Sequence, residues 1–118
     1  MPEKLPAAPR GAGPSGRALW RQVLSRYELD EHELVLLREA VRTVDQLDDL
    51  AAAVTADGVL VDGKAHPALV EARQQRVVLA RLLASLRLPE DDAGRPQRRG
   101  AARGTYDRKV RGLRAVGQ

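Results

Sequence analysis

Two long stretches of the chain repeat apolar residues at the spacing of a helical seam, and this pattern constrains the fold more than any other feature. The positions of the first stretch step 3-4-3-4-3 along the sequence and are Leu37, Ala40, Val44, Leu47, Ala51 and Val54. The second stretch repeats these steps from Leu69 to Leu86, with Arg76 as its charged member. Helices of matching period joined by a short connection pair as an antiparallel hairpin, so we predict an all-α fold.

The first long helix has clear start and stop signals. Asp30 and Glu33 have the spacing of a capping box, and Gly58 is a natural end. These signals predict a helix of about 24 residues, roughly 36 Å long. Asp62-Gly63, between the two long helices, is the dipeptide of a type I′ turn and predicts a minimal β-hairpin.

The remaining helices are bounded by similar signals. Pro67 suits a first helical position, and the apolar pattern continues to about Leu86 before a proline stops it. A short N-terminal helix is expected from Ser15, as N-cap, to about Tyr27. Residues 1–14 are rich in proline and glycine and are predicted to form a flexible arm.

Both long helices carry more apolar surface than one antiparallel partner covers. A second row on the last helix contains Val70, Val77 and Ala84. A short chain with only three aromatic residues builds a small core, so we expect residues 15–89 to form a helical oligomerisation domain. The predicted interface residues are Leu37, Val44, Leu47, Val54, Arg76, Leu79 and Leu83.

Arg76 lies inside the seam and has two interpretations. In the favoured one, its aliphatic stem packs at the edge of the core while the guanidinium group stays in water. In the other, it forms an intersubunit ion pair with an acid of the first long helix, such as Asp45 or Asp48.

Positive charge is concentrated at the C-terminal end. Residues 18–89 hold 9 basic and 11 acidic side chains, whereas residues 94–118 hold 8 basic ones against Asp107 alone. We therefore predict that residues 90–118 form a flexible basic tail that binds double-stranded DNA. The candidate DNA-binding residues are Arg95, Arg98, Arg99, Arg103, Arg108, Lys109, Arg111 and Arg114. Residues 105–116 are expected to form a short amphipathic helix, and the candidates for docking a protein partner on it are Tyr106, Val110 and Leu113.

No arrangement of residues predicts catalysis, a cofactor or a metal site. Residues 11–16, GAGPSG, match the string G-x-G-x-x-G, but no strand precedes them and no Lys-Ser or Lys-Thr follows. His32 and His66 are far apart and, without cysteine, make a poor set of metal ligands. We expect a binding protein rather than an enzyme.

A helix-turn-helix reader of DNA is also disfavoured. The first turn of the long helix carries Asp30, Glu31 and Glu33, which the phosphates on either side of a groove would repel. DNA contact is expected from the tail and from the arginines of the first helix, Arg17, Arg21 and Arg26.

The composition also bears on the compartment. No run approaches the roughly 20 apolar residues that span a bilayer, and the first ten residues lack the apolar stretch of a secretory signal. The chain contains no cysteine, which fits a reducing compartment. We expect a cytoplasmic protein without a membrane partner.

Several short segments, in order, resemble the terminase small subunits of tailed phages, in the group common in actinobacterial phages and prophages. These segments are 16–20 (GRALW), 29–33 (LDEHE), 40–45 (AVRTVD), 57–59 (DGV), 66–76 (HPALVEARQQR) and 86–89 (LRLP). The resemblance implies a ring-type homo-oligomer that binds viral DNA and delivers it to the terminase large subunit. That large subunit would carry the ATPase and nuclease activities. The resemblance also implies that this protein is located in the host cytoplasm rather than in the mature virion.

Two other functions fit the same features. One is a small DNA-binding regulator, antitoxin-like, in which the hairpin is a dimerisation unit. The other is a structural adaptor whose basic tail docks on an acidic protein surface. The number of subunits separates the first from a packaging protein, because a ring favours packaging and an operator-specific dimer favours regulation.

Overall fold

A computed structural model describes residues 5–89, which form three helices and one β-hairpin. In chain order the elements are α1 (Pro14–Leu24), α2 (Glu31–Asp57), β1 (Leu60–Val61), β2 (Lys64–Ala65) and α3 (Pro67–Leu86). Helices account for 68% of the described residues, which confirms the mostly helical fold with a hairpin between the long helices. The predicted basic tail, with its helix at 105–116, lies outside the described residues.

The buried core lies at the end of the α2–α3 pair where all three helices meet. Its members are Trp20, Val23, Leu24, Tyr27, Leu37, Val41 and Leu86. Leu37, Val41 and Leu86 have no exposed surface. Burial of each such side chain stabilises the fold by about 1.5–3 kcal/mol. Since α1 contributes Trp20, Val23 and Leu24 to the cluster, this helix is an integral part of the core.

The first helix differs from its predicted bounds. It begins at Pro14, after Gly13 in an extended N-cap conformation, and ends at Leu24. Ser15 is therefore inside the helix, and Tyr27 lies beyond it. The Tyr27 side chain is still buried, and its hydroxyl donates to the carbonyl oxygen of Pro89 at 3.2 Å.

A carboxylate from α2 replaces the expected serine cap of α1. The amides of Gly13 and Gly16 donate to the two oxygens of Asp45, each at 2.7 Å. Ser15 instead donates its hydroxyl to Asp48. A carboxylate at this position satisfies two free helical amides and lies at the positive end of the helix dipole. α1 is therefore fixed against α2 by a polar anchor as well as by the core.

The two ends of α2 follow the predicted signals. The capping box is present, and the backbone amide of Asp30 donates to Glu33 Oε1 at 2.8 Å. The helix ends before Gly58, whose φ of +88° strongly favours glycine. Its 27 residues exceed the predicted length of about 24, because the regular helix fills the whole interval between the two cap residues, Asp30 and Gly58.

The predicted β-hairpin is formed as a two-residue turn between two short strands. Leu60 pairs with Ala65, and Val61 pairs with Lys64, in antiparallel register. The turn residues Asp62 and Gly63 both have positive φ, +53° and +76°. Two positive values at adjacent positions are the mark of a type I′ turn, as the Asp-Gly pair predicts.

His66 joins the end of α2 to the start of α3. Its Nδ1 accepts a hydrogen bond from the Ala68 amide at 2.9 Å, and its Nε2 lies 2.9 Å from Asp57 Oδ2. Because Nδ1 accepts, the proton is on Nε2, which donates to Asp57. The histidine is thus the side-chain N-cap of α3, directly before Pro67. The helix ends as predicted at Leu86, followed by Arg87 in the left-handed conformation.

Part of the segment predicted to be a flexible N-terminal arm, residues 1–14, lies against the helices. Trp20 Nε1 donates to the carbonyl oxygen of Pro6 at 2.8 Å. Ala8 and Ala12 pack on the core cluster. The physical reason is that the Trp20 indole is 4% exposed, and its N–H needs an acceptor that the arm supplies.

Candidate interaction surfaces

The predicted DNA-binding and partner-docking residues all lie in the tail, between positions 95 and 114, outside the described residues. The predicted interface residues, by contrast, all lie within α2 and α3, so the structure places each of them.

Leu37 is wrongly assigned to the oligomer interface. It has no exposed surface, because α1 and α3 cover it within one copy of the chain. The remaining apolar members of that set are half-buried and are Val44, Leu47, Val54, Leu79 and Leu83. The physical reason is that α2 and α3 use the heptad seam for each other, which leaves little of it for a second copy.

Arg76 is exposed at the side of α3, and within residues 5–89 it forms no ion pair. The hypothesis that it pairs with an acid of α2 in a second copy, such as Asp45 or Asp48, stays a prediction. Asp45 already accepts from two α1 amides, and Asp48 accepts from Ser15. Both acids therefore serve α1 within the same copy.

The uncovered apolar surface of α3 is the second row rather than the seam. Val70, Val77 and Val78 are 47%, 48% and 42% exposed. Val70, Val77 and Ala84 are spaced seven residues apart, so they lie on one side of the helix, opposite the buried Ala68 and Ala72. This side faces away from α2 and is available to another molecule.

A separate exposed valine lies on α2, and the heptad pattern does not reveal it. Val35 is 52% exposed and lies on the outer side of α2, roughly opposite the buried Leu37. Glu31 and Glu39, one turn before and after it, are exposed as well. Glu39 forms an i,i+3 ion pair with Arg42, and both side chains are at least half exposed. The sequence signal for this surface is an apolar residue outside the seam with acids four positions away on either side.

The β-hairpin exposes a third apolar cluster. Val59, Leu60 and Val61 are 57%, 61% and 36% exposed. They lie at the opposite end of the α2–α3 pair from the core. A strand of two residues cannot bury both of its faces, so these side chains remain open.

The α1 region carries a surface of one charge sign. Residues 5–27 contain four arginines and no acid. These four side chains, Arg10, Arg17, Arg21 and Arg26, belong to exposed residues, and none forms an ion pair within the described part of the chain. Over the whole of residues 5–89, 11 basic residues balance 11 acidic ones, so this cationic surface is local.

The glycine-rich string at residues 11–16 holds an anion, but the anion is part of the protein. Gly13 and Gly16 are the two donors to Asp45. No added Cβ fits at Gly16, since it would lie 2.3 Å from Asp45 Oδ2 and 2.7 Å from Val41 Cγ1. The string therefore provides a close helix–helix approach within this fold.

Metal ions and small molecules would need other kinds of site within residues 5–89. No group of three or more histidine or acidic side chains is placed to hold a metal ion there. An open groove of about 330 Å³ lies between α2 and α3 and is lined by Gln46, Asp49, Leu50, Glu71 and Gln75. Four of these five residues carry polar or charged side chains, whereas small-molecule pockets are usually lined mainly by hydrophobic and aromatic residues.

No family model, curated protein or solved structure matches the chain. Among the described helices, none combines the length and the apolar character that crossing a membrane requires.

Proposed function

We propose that this protein is a non-catalytic DNA-binding adaptor of the terminase small-subunit type. Its helical body assembles into a homo-oligomeric ring, and its basic tail binds viral double-stranded DNA. The assembly delivers the DNA to the large subunit, which carries the ATPase and nuclease. This would take place in the host cytoplasm before the genome is enclosed.

The main support is the exposed valine row of α3. Val70, Val77 and Val78 are each exposed by more than two-fifths, on a helix whose other side already packs on α2. A row of this kind on a small soluble body is typical of a protein–protein contact. The ordered resemblance of residues 14–89 to terminase small subunits agrees with a self-assembling body.

The distribution of charge supports the role of the tail. The described body is electrically balanced, whereas residues 94–118 carry a net charge of +7 from 8 basic residues and Asp107. Each phosphate neutralised by such a tail should contribute about 0.9 to the slope of log affinity against log salt. Several tails in one oligomer would neutralise more phosphates and so make this slope steeper. Arginines that contact phosphates position a protein on DNA without reading bases, so we expect mostly sequence-independent binding by this tail.

The DNA-binding role is tested with three tail variants of the full protein. One lacks residues 94–118, one has its eight basic residues replaced by glutamine at unchanged length, and one has the order of residues 94–118 shuffled. We expect the first two to lose most DNA retention in a low-salt gel shift and the shuffled tail to keep it. All three should keep the oligomeric mass of the wild type.

Two results would contradict this part of the proposal. Unchanged DNA retention by the glutamine variant would show that the charge of the tail does not bind DNA. A dimer that binds one operator sequence would favour the antitoxin-like regulator instead, and the mass of the protein with and without DNA decides between these.

The adaptor role is tested separately at the end of the tail. Alanine at Tyr106, Val110 and Leu113 should reduce capture of the large ATPase–nuclease subunit while DNA retention stays. Glutamine at Arg108, Lys109, Arg111 and Arg114 should do the reverse. If only the charge variant affected capture, the apolar side of residues 105–116 would have no docking role.

A further inference from the structure

The open groove between α2 and α3 is negatively charged. Asp49 lines it from α2 and Glu71 lines it from α3, and no basic residue belongs to its lining. Both acids are exposed. Within residues 5–89 the Asp49 side chain has no hydrogen-bond or ion-pair partner, and Glu71 accepts from the Gln75 amide group at 2.8 Å. The two carboxylates therefore keep acceptor capacity for another molecule or segment.

The bases on the same two helices leave this charge in place. Arg42, the last base on α2, is in its ion pair with Glu39. Arg73 and Arg76 are within two positions of Gln75 on α3, but residues one or two positions apart in a helix do not face each other. The groove thus presents two negative charges without a basic counterpart beside them.

The lining suits an arginine side chain. A guanidinium group has five donors and no acceptor, so it needs acceptors around it. Gln46 and Gln75 add amide oxygens beside the two carboxylates, and Leu50 offers an apolar surface to the aliphatic stem. The planar guanidinium group also matches a carboxylate better than the ammonium group of lysine does. The chemistry of the groove therefore favours an arginine-rich segment.

The groove lies a short distance from the point where the described body ends. Gln75 and Glu71 are 11 and 15 positions before Leu86 on α3, which corresponds to roughly 16–23 Å along the helix. Pro89 follows three positions after Leu86, and its carbonyl oxygen accepts from Tyr27 at the core end. Any segment that continues from Pro89 therefore starts about 20 Å from the groove.

The sequence after Pro89 brings arginines within this distance. Arg98 and Arg99 are nine and ten positions beyond it, and a chain of that length spans up to about 30 Å when extended. The acids at 90–92 come first, but three residues span at most about 10 Å and do not reach the groove. The first segment that can meet the two carboxylates is thus the arginine cluster of residues 95–99.

We propose that this groove binds the arginines of residues 95–99 of the same chain while no DNA is bound. DNA phosphates then compete with Asp49 and Glu71 for the same side chains. Exposed ion pairs are individually weak, so the contact depends on the short tether, which provides an effective concentration in the millimolar range. The body thus lowers the affinity of the tail for DNA. The contact stands without the proposed function, whereas its competition with DNA rests on the DNA-binding role proposed for the tail.

Carbodiimide cross-linking of the full protein without DNA tests the contact. The variant Arg98→Lys/Arg99→Lys keeps the charge and supplies amines, which the reagent joins to carboxylates that touch them. We expect peptide mapping by mass spectrometry to place most of these cross-links on Asp49 and Glu71. Cross-links spread over the exposed acids of the body without preference would overturn the contact.

A mixture of ¹⁵N-labelled and unlabelled protein shows which copy supplies the arginines. Cross-links should join peptides of the same label. Cross-links found mainly between labelled and unlabelled peptides would overturn docking within one chain.

DNA affinity tests the competition. Asp49→Asn with Glu71→Gln should tighten binding of a DNA duplex several-fold at low salt, because the tail arginines lose their partner on the body. Glu28→Gln with Asp62→Asn is the matched control, since it makes the same charge change at exposed positions outside the groove and should give a smaller gain. Circular dichroism should show the same helix content in both variants.

The two proposals fail in different ways. Equal gains in affinity from the groove variant and its control would overturn the competition. A gain from the groove variant that persists after deletion of residues 94–118 would overturn it as well. A wild-type protein that does not bind DNA would overturn the proposed function, and the cross-linking result would then decide the contact by itself.

Discussion

At the scale of single residues, Gly16 shows how a close approach overrides helix propensity. An alanine at a helical position normally gains about 1 kcal/mol over glycine. At Gly16, however, the added Cβ would overlap both Asp45 and Val41. Overpacking of this kind typically costs about 1–3 kcal/mol and would displace the carboxylate from the amides that it caps. This steric contact therefore decides whether alanine at position 16 stabilises or destabilises the fold.

We expect Gly16→Ala to destabilise the protein by about 1–2 kcal/mol. The melting temperature, followed by circular dichroism, should fall by several degrees. Ala18→Gly, at an exposed position of the same helix, is the control and should cost about 1 kcal/mol by propensity alone. A higher melting temperature in Gly16→Ala would mean that α1 can move away from α2 without a loss of stability.

At the scale of elements, the connection between the two long helices depends on His66. The imidazole caps α3 through one nitrogen and contacts Asp57 through the other. Both bonds hold the hairpin end of the molecule, which has no large apolar core of its own. Loss of an N-cap side chain costs about 0.5–2 kcal/mol.

His66→Ala should therefore lower the free energy of unfolding by about 1–2 kcal/mol in urea titrations. His66→Asn should recover much of this loss, because asparagine is a good N-cap. His32→Ala is the matched control, since His32 is exposed in the first turn of α2. Equal effects of alanine at the two histidines would contradict the capping role.

At the scale of the whole molecule, stability and assembly are expected to be coupled. The described body has one core cluster at one end and exposed valines along α3. A partner that binds only the folded state raises apparent stability by mass action. Contacts between copies should therefore make melting depend on protein concentration.

We expect the wild-type melting temperature to rise measurably over a 100-fold increase in concentration. The double variant Val70→Ser/Val77→Ser, which removes the exposed valine row of α3, should melt at one temperature over the same range, which makes it the control. If the wild-type melting temperature did not change with protein concentration, stability would not depend on assembly.

The regular parts of this fold are predictable from sequence because their signals are local. The 3-4 spacing gives the long helices, the Asp30–Glu33 pair gives a helix start, and Asp62-Gly63 gives the turn. The positions that differ depend on contacts between distant residues. Asp45 caps amides 29 and 32 positions earlier, and no local pattern announces this. Periodicity likewise shows that Leu37 is covered, but not that α1 and α3 of the same copy cover it.

The candidate surfaces follow the same division. The row of Val70, Val77 and Ala84 is visible in the sequence because it has its own heptad spacing. Val35 is a single apolar residue outside any row, so its exposure depends on where α1 and α3 pack around α2.

The carboxylate of Asp45 gives the glycine-rich segment an occupant that is always present. A group tethered within a folded chain acts at an effective concentration in the millimolar range or above, which a freely diffusing phosphate must exceed to displace it. The same two amides would become vacant if position 45 lost its acid. Loss of the acid at position 45 would therefore remove the acceptor of two amides at the start of α1 and, with it, the polar attachment of α1 to α2.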